Sequence, residues 1–144
     1  MFFLKAPNSR QINLALLALR VSTGLTMAAH GYQKVFTFGV EKISGGFAGM
    51  GIPMSSIAAP LVSYLELLGG ILIAVGFLTR PLAVLLAFDM FVASTFVHLK
   101  NGFFAPTGAE FTLLLMVNFL ALTITGAGSF SVDSVVDSTR RNAS

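Results

Sequence analysis

The chain has 144 residues and is 55% hydrophobic but only 10% charged, whereas a soluble domain carries about 25% charged residues. This composition excludes an ordinary soluble fold. It predicts a single integral membrane domain over residues 1–144. The nine basic residues and the net charge of +3 are too few and too scattered for a nucleic-acid-binding surface, so no nucleic-acid partner is expected. The absence of cysteine excludes disulfides, thiolate metal sites, cysteine redox chemistry and covalently attached haem.

Four apolar segments follow one another along the chain, each close to the roughly 20 residues that a helix needs to cross a bilayer. They span about residues 12–35, 57–78, 81–98 and 104–125. Between the second and the third, Thr79 can cap a helix and Pro81 suits the first helical turn. The pattern predicts an all-α membrane protein, a four-transmembrane-helix bundle.

The longest connection, residues 36–56, contains Gly45, Gly46, Gly49 and Gly51 but is too apolar for a free loop. It predicts a short interfacial or re-entrant element between helices 1 and 2. Residues 129–144 are expected to form a polar, mobile tail.

Lysines and arginines outside the spans set the expected orientation in the membrane. In a four-span arrangement five fall on one side (Lys5, Arg10, Arg80, Arg140 and Arg141) and three on the other (Lys34, Lys42 and Lys100). This imbalance predicts a multi-pass protein with both termini in the cytoplasm.

Three ionisable residues, Arg20, Glu66 and Asp89, lie deep within the predicted spans, where charges are costly. Counted from the span ends, all three reach one layer near the membrane midplane. They are interpreted as a structural ion network held by charge-assisted hydrogen bonds. The alternative is a polar cavity for a ligand or a proton path.

A second polar set is placed nearer the outer surface: His30, Lys34, His98, Lys100 and Glu110. Such residues commonly reach toward the membrane interface, but these come from three helices at similar depth and could line one mouth. There they could shuttle protons or hydrogen-bond a quinone head group. Neither HxxxH nor ExxH spacing is present, so no metal is expected.

Small residues on the second span, at Gly69, Gly70, Ala74 and Gly76, predict a close approach of another helix. The phenylalanines that follow are interpreted as facing lipid or the core rather than an aromatic ligand: Phe88, Phe91, Phe96, Phe103 and Phe104.

Seven short stretches occur in an order that resembles the DoxX family of small bacterial membrane proteins. They are residues 30–34 (HGYQK), 49–53 (GMGIP), 66–70 (ELLGG), 76–80 (GFLTR), 98–103 (HLKNGF), 108–110 (GAE) and 126–133 (GAGSFSVD). The resemblance implies a four-helix bundle in the bacterial inner membrane. Family members include membrane subunits of thiosulfate:quinone oxidoreductase and proteins linked to oxidative-stress complexes or to catechol and quinone resistance. Because this chain has no cysteine, a sulfur relay within it is not expected.

The in-span charges and the resemblance together lead to one main hypothesis, a redox-associated membrane subunit that binds a quinone or a similar small molecule in a polar intramembrane pocket. The predicted ligand-binding residues are His30, Lys34, Glu66, His98, Asn101 and Glu110. Glu66 and Glu110 are assigned as proton acceptors and His30 and His98 as hydrogen-bond donors, while Arg20 and Asp89 form the structural pair. Catalytic residues stay unassigned.

This hypothesis implies that the chain is a non-autonomous subunit of a quinone-linked oxidoreductase. No intrinsic cofactor is expected, and a soluble oxidoreductase partner would supply the electrons. The chain would lie in the lipid bilayer, alone or as a homo-oligomer. Two alternatives are a small-solute transporter or permeability factor, and a non-catalytic scaffold that anchors a soluble oxidoreductase through the turn at Arg80 and the C-terminal tail.

Overall fold

Residues 6–142 are described by the computed structural model, and this part of the chain folds into six helices without a strand. The helices are α1 (Ser9–Phe38), α2 (Val40–Gly49), α3 (Ser55–Val75), α4 (Thr79–Asn101), α5 (Glu110–Thr125) and α6 (Val132–Asn142). The all-α prediction is confirmed for the described residues. Lys5, which entered the orientation prediction, lies outside them.

Three helices, α1, α3 and α4, are long and apolar enough to cross a membrane, with 30, 21 and 23 residues. Helix α5 is apolar but has only 16 residues, or about 24 Å of helix, against a hydrocarbon core of about 30 Å. It begins at Glu110 rather than near Phe104, because residues 102–109 form a compact turn. In that turn the N–H of Glu110 donates to the carbonyl of Phe103 and the N–H of Gly108 to that of Phe104.

A shared apolar core joins α1, α3, α4 and α5. Its buried members are Met27, Ile73, Ala83, Leu86, Ala87, Met90, Leu115, Phe119 and Leu122. Helix α1 packs chiefly along α3, and α4 packs chiefly along α5. The phenylalanines expected to face lipid or the core all lie on the exposed surface of the bundle, at 43–77% exposure.

Glycine contacts bring α1 and α3 together at backbone distance. A Cβ atom added at Gly70 would lie 2.5 Å from the backbone nitrogen of Ala28 and 2.6 Å from the carbonyl oxygen of Gly24. At Gly31 an added Cβ would lie 2.2 Å from the backbone nitrogen of Leu67. The close approach predicted from the small residues of the second span is therefore present at Gly70.

Helix α2 follows α1 directly and corresponds to the predicted element between helices 1 and 2. It packs against α3, and none of its residues is fully buried. Gly39, with φ of +83°, precedes it, and Gly51, with φ of +76°, follows it. These two left-handed positions let the chain turn sharply at both ends of the helix.

Residues 129–133, the start of the predicted tail, are hydrogen-bonded to the rest of the bundle. The N–H of Ser129 donates to Asn13 Oδ1 at 2.8 Å, and the N–H of Asp133 donates to the carbonyl of Gly76 at 2.8 Å. Residues 132–142 then form α6. The start of the tail is held because the N–H groups of Ser129 and Asp133 donate to acceptors on α1 and at the α3–α4 turn.

The α3–α4 turn is capped by a residue that lies far from it in the sequence. Asp133 Oδ1 accepts the N–H of Leu78 at 2.8 Å, and Asp133 Oδ2 accepts the N–H of Thr79 at 3.0 Å. Thr79 itself is the first residue of α4, and its buried hydroxyl has no hydrogen-bond partner among the described residues. The expectation that Thr79 caps the helix is wrong, whereas Pro81 does lie in the first turn.

Candidate ligand-binding cavity

One cavity of about 730 Å³ opens among α1, α3, α4 and α5. Helix α2 contributes Phe47 to its wall, and the turn before α5 contributes Pro106. Of the six residues predicted to bind a ligand, five line it: His30, Lys34, Glu66, His98 and Glu110. Asn101 is not among the lining residues, and its side-chain amide lies 3.4 Å from the carbonyl of Val97.

An ion pair between α1 and α3 forms the most polar part of the cavity wall. Lys34 Nζ lies 2.5 Å from Glu66 Oε1, with the lysine side chain 23% exposed and the glutamate 2% exposed. Asp89, on α4, also lines the cavity and interacts electrostatically with both residues. Three helices thus each contribute one ionisable side chain to a cluster, called here the Lys34–Glu66–Asp89 triad.

Glu66 and Asp89 lie side by side in this triad. Glu66 Oε2 and Asp89 Oδ2 are buried and accept no hydrogen bond from an N–H or hydroxyl group of the described residues, and the side chain of Asp89 is in hydrogen-bond contact with that of Glu66. The triad therefore links three helices at the wall of the cavity.

The two histidines differ in their surroundings. His98 Nδ1 lies 3.0 Å from the carbonyl oxygen of Thr107, and since a carbonyl only accepts, this nitrogen carries a proton. Nε2 of His98 is then the nitrogen open to a ligand. The ring of His30 is exposed and tilts against the ring of Phe111, with 5.9 Å between centroids.

Three turns of π-helix contribute residues to the wall of the cavity. They are Gln33–Phe38 in α1, Leu65–Gly69 in α3 and Ala93–His98 in α4. Each contains one charged or titratable lining residue, namely Lys34, Glu66 and His98 in turn. Such turns insert an extra residue into a helix and often occur at functional sites. Sequence reasoning missed them, because a single wide turn leaves no mark on hydrophobic periodicity.

Arg20 lies elsewhere, which corrects the predicted network of Arg20, Glu66 and Asp89. Its guanidinium donates to the carbonyl of Ala74 at 2.6 Å and also to the carbonyl of Phe130. Ala74 is eight residues beyond Glu66, or about 12 Å along α3. Because α1 and α3 run antiparallel, a residue early in α1 meets the end of α3, and Lys34 rather than Arg20 pairs with Glu66.

Within residues 6–142, no three histidine, aspartate or glutamate side chains lie close enough together to hold an ion. Glu66 and Asp89 are brought together, but the histidines do not join them in a ligand set.

Comparison with known proteins gives one family. The sequence matches the DoxX family over residues 15–99. It is 32% identical to "Putative oxidoreductase CatD" of Bacillus subtilis (strain 168), over 93% of this chain and 96% of that protein. It is also 32% identical to "Inner membrane protein YphA" of Escherichia coli (strain K12), over 82% of this chain and 87% of that protein. No solved structure matches.

Proposed function

The chain belongs to the DoxX family of membrane proteins, and on this premise we propose that it is a redox-associated membrane subunit that binds a quinone or a similar small molecule in the cavity. The observation that carries the proposal is the Lys34–Glu66–Asp89 triad in the wall of a mostly apolar cavity. Small-molecule sites commonly have this form, with apolar walls and a few convergent polar groups.

The size and the walls of the cavity suit a substituted aromatic ring. Its volume of about 730 Å³ lies within the range of about 300–1,000 Å³ that is usual for small-molecule sites. Met27, Phe47, Phe111 and Leu115 supply apolar surface for the ring. The Lys34 ammonium can donate to a ring oxygen, since the ion pair with Glu66 uses only one of its three N–H groups.

A partner protein exchanges electrons with the bound ring. The chain has no motif for a bound redox cofactor, so it works as a non-autonomous subunit with a soluble oxidoreductase. The name of the Bacillus subtilis relative contains the word oxidoreductase, which supports this direction for the present chain. Glu66 and Glu110 line the cavity at points where they can take up protons that accompany the electrons.

We place the protein in the bacterial inner membrane with four crossings and both termini in the cytoplasm. The compact turn of residues 102–109 precedes the short α5, and the turn and the helix together form the fourth crossing. Lys34 is turned into the cavity, so it no longer counts as a loop charge. The outer side then keeps Lys42 and Lys100, against Arg10, Arg80, Arg140 and Arg141 on the cytoplasmic side.

The shape of the cavity favours binding over transport. Beyond the triad, α1 and α3 are in backbone contact at Gly24 and Gly70. Phe119 and Leu122 are fully buried in the core at the same end of the bundle. The cavity therefore ends inside the protein, whereas a transport path for a solute would have to continue to the opposite side.

Thermal unfolding of the detergent-solubilised protein with a panel of quinones tests the proposal. A ligand at 100 times its dissociation constant should stabilise the fold by about 2.7 kcal/mol. The gain should be lost in Glu66→Gln and in His98→Ala and kept in Glu41→Gln, since Glu41 is an exposed glutamate that does not line the cavity. No stabilisation by any quinone, or an equal gain in all variants, would overturn the proposal.

A further inference from the structure

Helix α6 has one apolar face, and we infer that this face lies on the lipid surface of the membrane, at the end of the bundle where α3 turns into α4. The face is called here the apolar stripe of α6, and its members are Val132, Val135, Val136 and Thr139. The C-terminal helix is thereby assigned to the bilayer rather than to the soluble oxidoreductase partner of the proposed function.

Hydrogen bonds fix the start of α6 at the membrane boundary. Helices α3 and α4 are both long and apolar enough to cross a membrane, so the short turn between them lies where the hydrocarbon region ends. Asp133, in the first turn of α6, accepts the N–H groups of Leu78 and Thr79 in that turn. Just before α6, the carbonyl of Phe130 accepts a hydrogen bond from Arg20 of α1. Helix α6 therefore leaves the bundle at the level of the membrane surface.

The residues of α6 separate into an apolar and a polar side. Successive residues of a helix are rotated by about 100°, so positions 132, 135, 136 and 139 share one face. Asp133, Asp137 and Arg141 follow one another at intervals of four residues on the opposite side. A polar helix with one apolar face is typical of helices that lie in the plane of a membrane interface.

No part of the described protein covers the apolar stripe. Val132, Val135 and Val136 are 40%, 63% and 37% exposed, and none of residues 132–142 is buried. No other helix within residues 6–142 packs along α6. A helix of 11 residues is only marginally stable in water by itself, so we expect an external surface to stabilise it.

The bilayer is the surface that lies next to this helix. Leu78 and Phe130, at the two anchoring bonds, are 49% and 46% exposed, so the apolar surface of the bundle continues to the start of α6. Arg140 is exposed and lies one turn after Val136, at the edge of the stripe. Its stem can lie along the apolar surface while its guanidinium reaches the phosphate groups of lipids.

The anchor at Asp133 makes this contact favourable although the stripe is small. Three valines would bind a free peptide to a membrane only weakly, because little apolar area is removed from water. Since α6 is already attached to the bundle at the membrane boundary, its contact with lipid is an intramolecular event with a high effective concentration of surface.

Site-specific labels test on which side α6 meets lipid. The chain has no cysteine, so each introduced cysteine carries the only label. Val135→Cys and Asp137→Cys place it on opposite sides of the helix, about 200° apart. Without a bilayer both sites are open, since Val135 is 63% exposed and the Asp137 side chain 58%. Each full-length variant is labelled with the fluorophore NBD and reconstituted in nanodiscs of phosphatidylcholine and phosphatidylglycerol.

Two quenchers then report the surroundings of each label. Iodide quenches from water, and lipids with a nitroxide near the head group quench from the bilayer. We expect iodide quenching at position 135 to be about threefold weaker than at position 137, and nitroxide quenching to be stronger at 135, because the apolar face lies in the interface. Thr139→Cys, one turn further along the stripe, should behave like Val135→Cys and decides the test where Val135→Cys does not fold.

Two results overturn the inference, and both leave quinone binding in the cavity standing. Equal iodide quenching on both sides without nitroxide quenching would show that α6 stands away from the bilayer, with its stripe open to a soluble protein. Equal nitroxide quenching at both positions would show that the helix has no preferred side toward lipid.

Discussion

Lys34 and Glu66 are 32 residues apart in the sequence and 2.5 Å apart in the bundle, and each lies in a turn of π-helix. The ion pair joins α1 to α3 beside the cavity, at the point where both helices depart from regular α-helical geometry. A wide turn shifts the direction of the side chains that follow it. The departures from regular α-helix therefore occur at Lys34 and Glu66, the two residues that form the ion pair.

Replacing Lys34 by methionine should destabilise the protein. The variant leaves the buried carboxyl groups of Glu66 and Asp89 without a cation, and removing one partner of a fully buried pair costs about 3–5 kcal/mol. Since the Lys34 side chain is 23% exposed, we expect a smaller loss, about 1–3 kcal/mol. Chemical unfolding in detergent measures it.

The double variant Lys34→Met with Glu66→Gln is the control for this prediction. It removes the charge that the single variant leaves uncompensated, so part of the lost free energy should return. Losses that simply add in the double variant would show that the pair contributes no coupling energy.

A methyl group at Gly70 should force α1 and α3 apart. The added Cβ would lie 2.5 Å from the backbone nitrogen of Ala28, and backbone cannot yield as a flexible side chain does. Gly70→Ala should therefore cost about 1–3 kcal/mol, measured as a lower melting temperature.

Gly45→Ala provides the matched change, because a Cβ at Gly45 meets nothing within 4 Å. It should be neutral or stabilising by up to about 1 kcal/mol, since alanine favours a helix more than glycine does. Equal effects at both glycines would contradict the close contact of α1 with α3.

Asp133→Ala should destabilise the start of α4. Both carboxylate oxygens of Asp133 accept N–H groups of the α3–α4 turn, and loss of a helix cap costs about 0.5–2 kcal/mol. Asp137→Ala is the comparison, because Asp137 is 58% exposed and pairs with Arg141 in its own helix. That change should cost about 0.3–0.5 kcal/mol. The same melting temperature in both variants would count against the cap.

Arg20→Lys should loosen the C-terminal segment. The guanidinium reaches two carbonyl oxygens on different elements, Ala74 and Phe130, and an ammonium lacks the rigid fork that spans both. Hydrogen exchange at the amides of Ser129 and Asp133 should become faster. Arg80→Lys should leave those amides slow, since Arg80 is exposed and donates to Ile124 at 3.3 Å.

The sequence predicted the helices better than it predicted their mutual rotation. Apolar length and the breaks at Thr79–Pro81 and Asn101–Gly102 located four apolar helices, and Gly70 marked the α1–α3 contact. The partner of Arg20 could not be predicted, because it bonds two backbone carbonyls, which any residue type supplies. The depths of Asp89 and Glu66 within their predicted spans placed both residues in one layer of the membrane. The sequence of a lipid-embedded helix, however, carries no periodic signal that fixes which of its faces turns toward the bundle interior.

The sequence predicted most of the polar residues that line the cavity but not how these residues are arranged. Five of the six residues assigned to a ligand line one cavity, since titratable residues at similar depth on neighbouring helices tend to meet. The π-helical turns were missed, and so was the pairing of Lys34 with Glu66. Asp89, interpreted as half of an ion pair with Arg20, instead faces Lys34 and Glu66, because the antiparallel pairing of α1 with α3 carries Arg20 to the other end.

The bond from Arg20 to the carbonyl of Phe130 has a consequence for biosynthesis. The two residues are 110 positions apart, so at about 5–20 residues per second the ribosome adds Phe130 roughly 5–20 s after Arg20. During that interval an arginine on an isolated apolar helix is costly within lipid. We therefore expect α1 to stay beside the insertion machinery or near the membrane interface until Phe130 has been made.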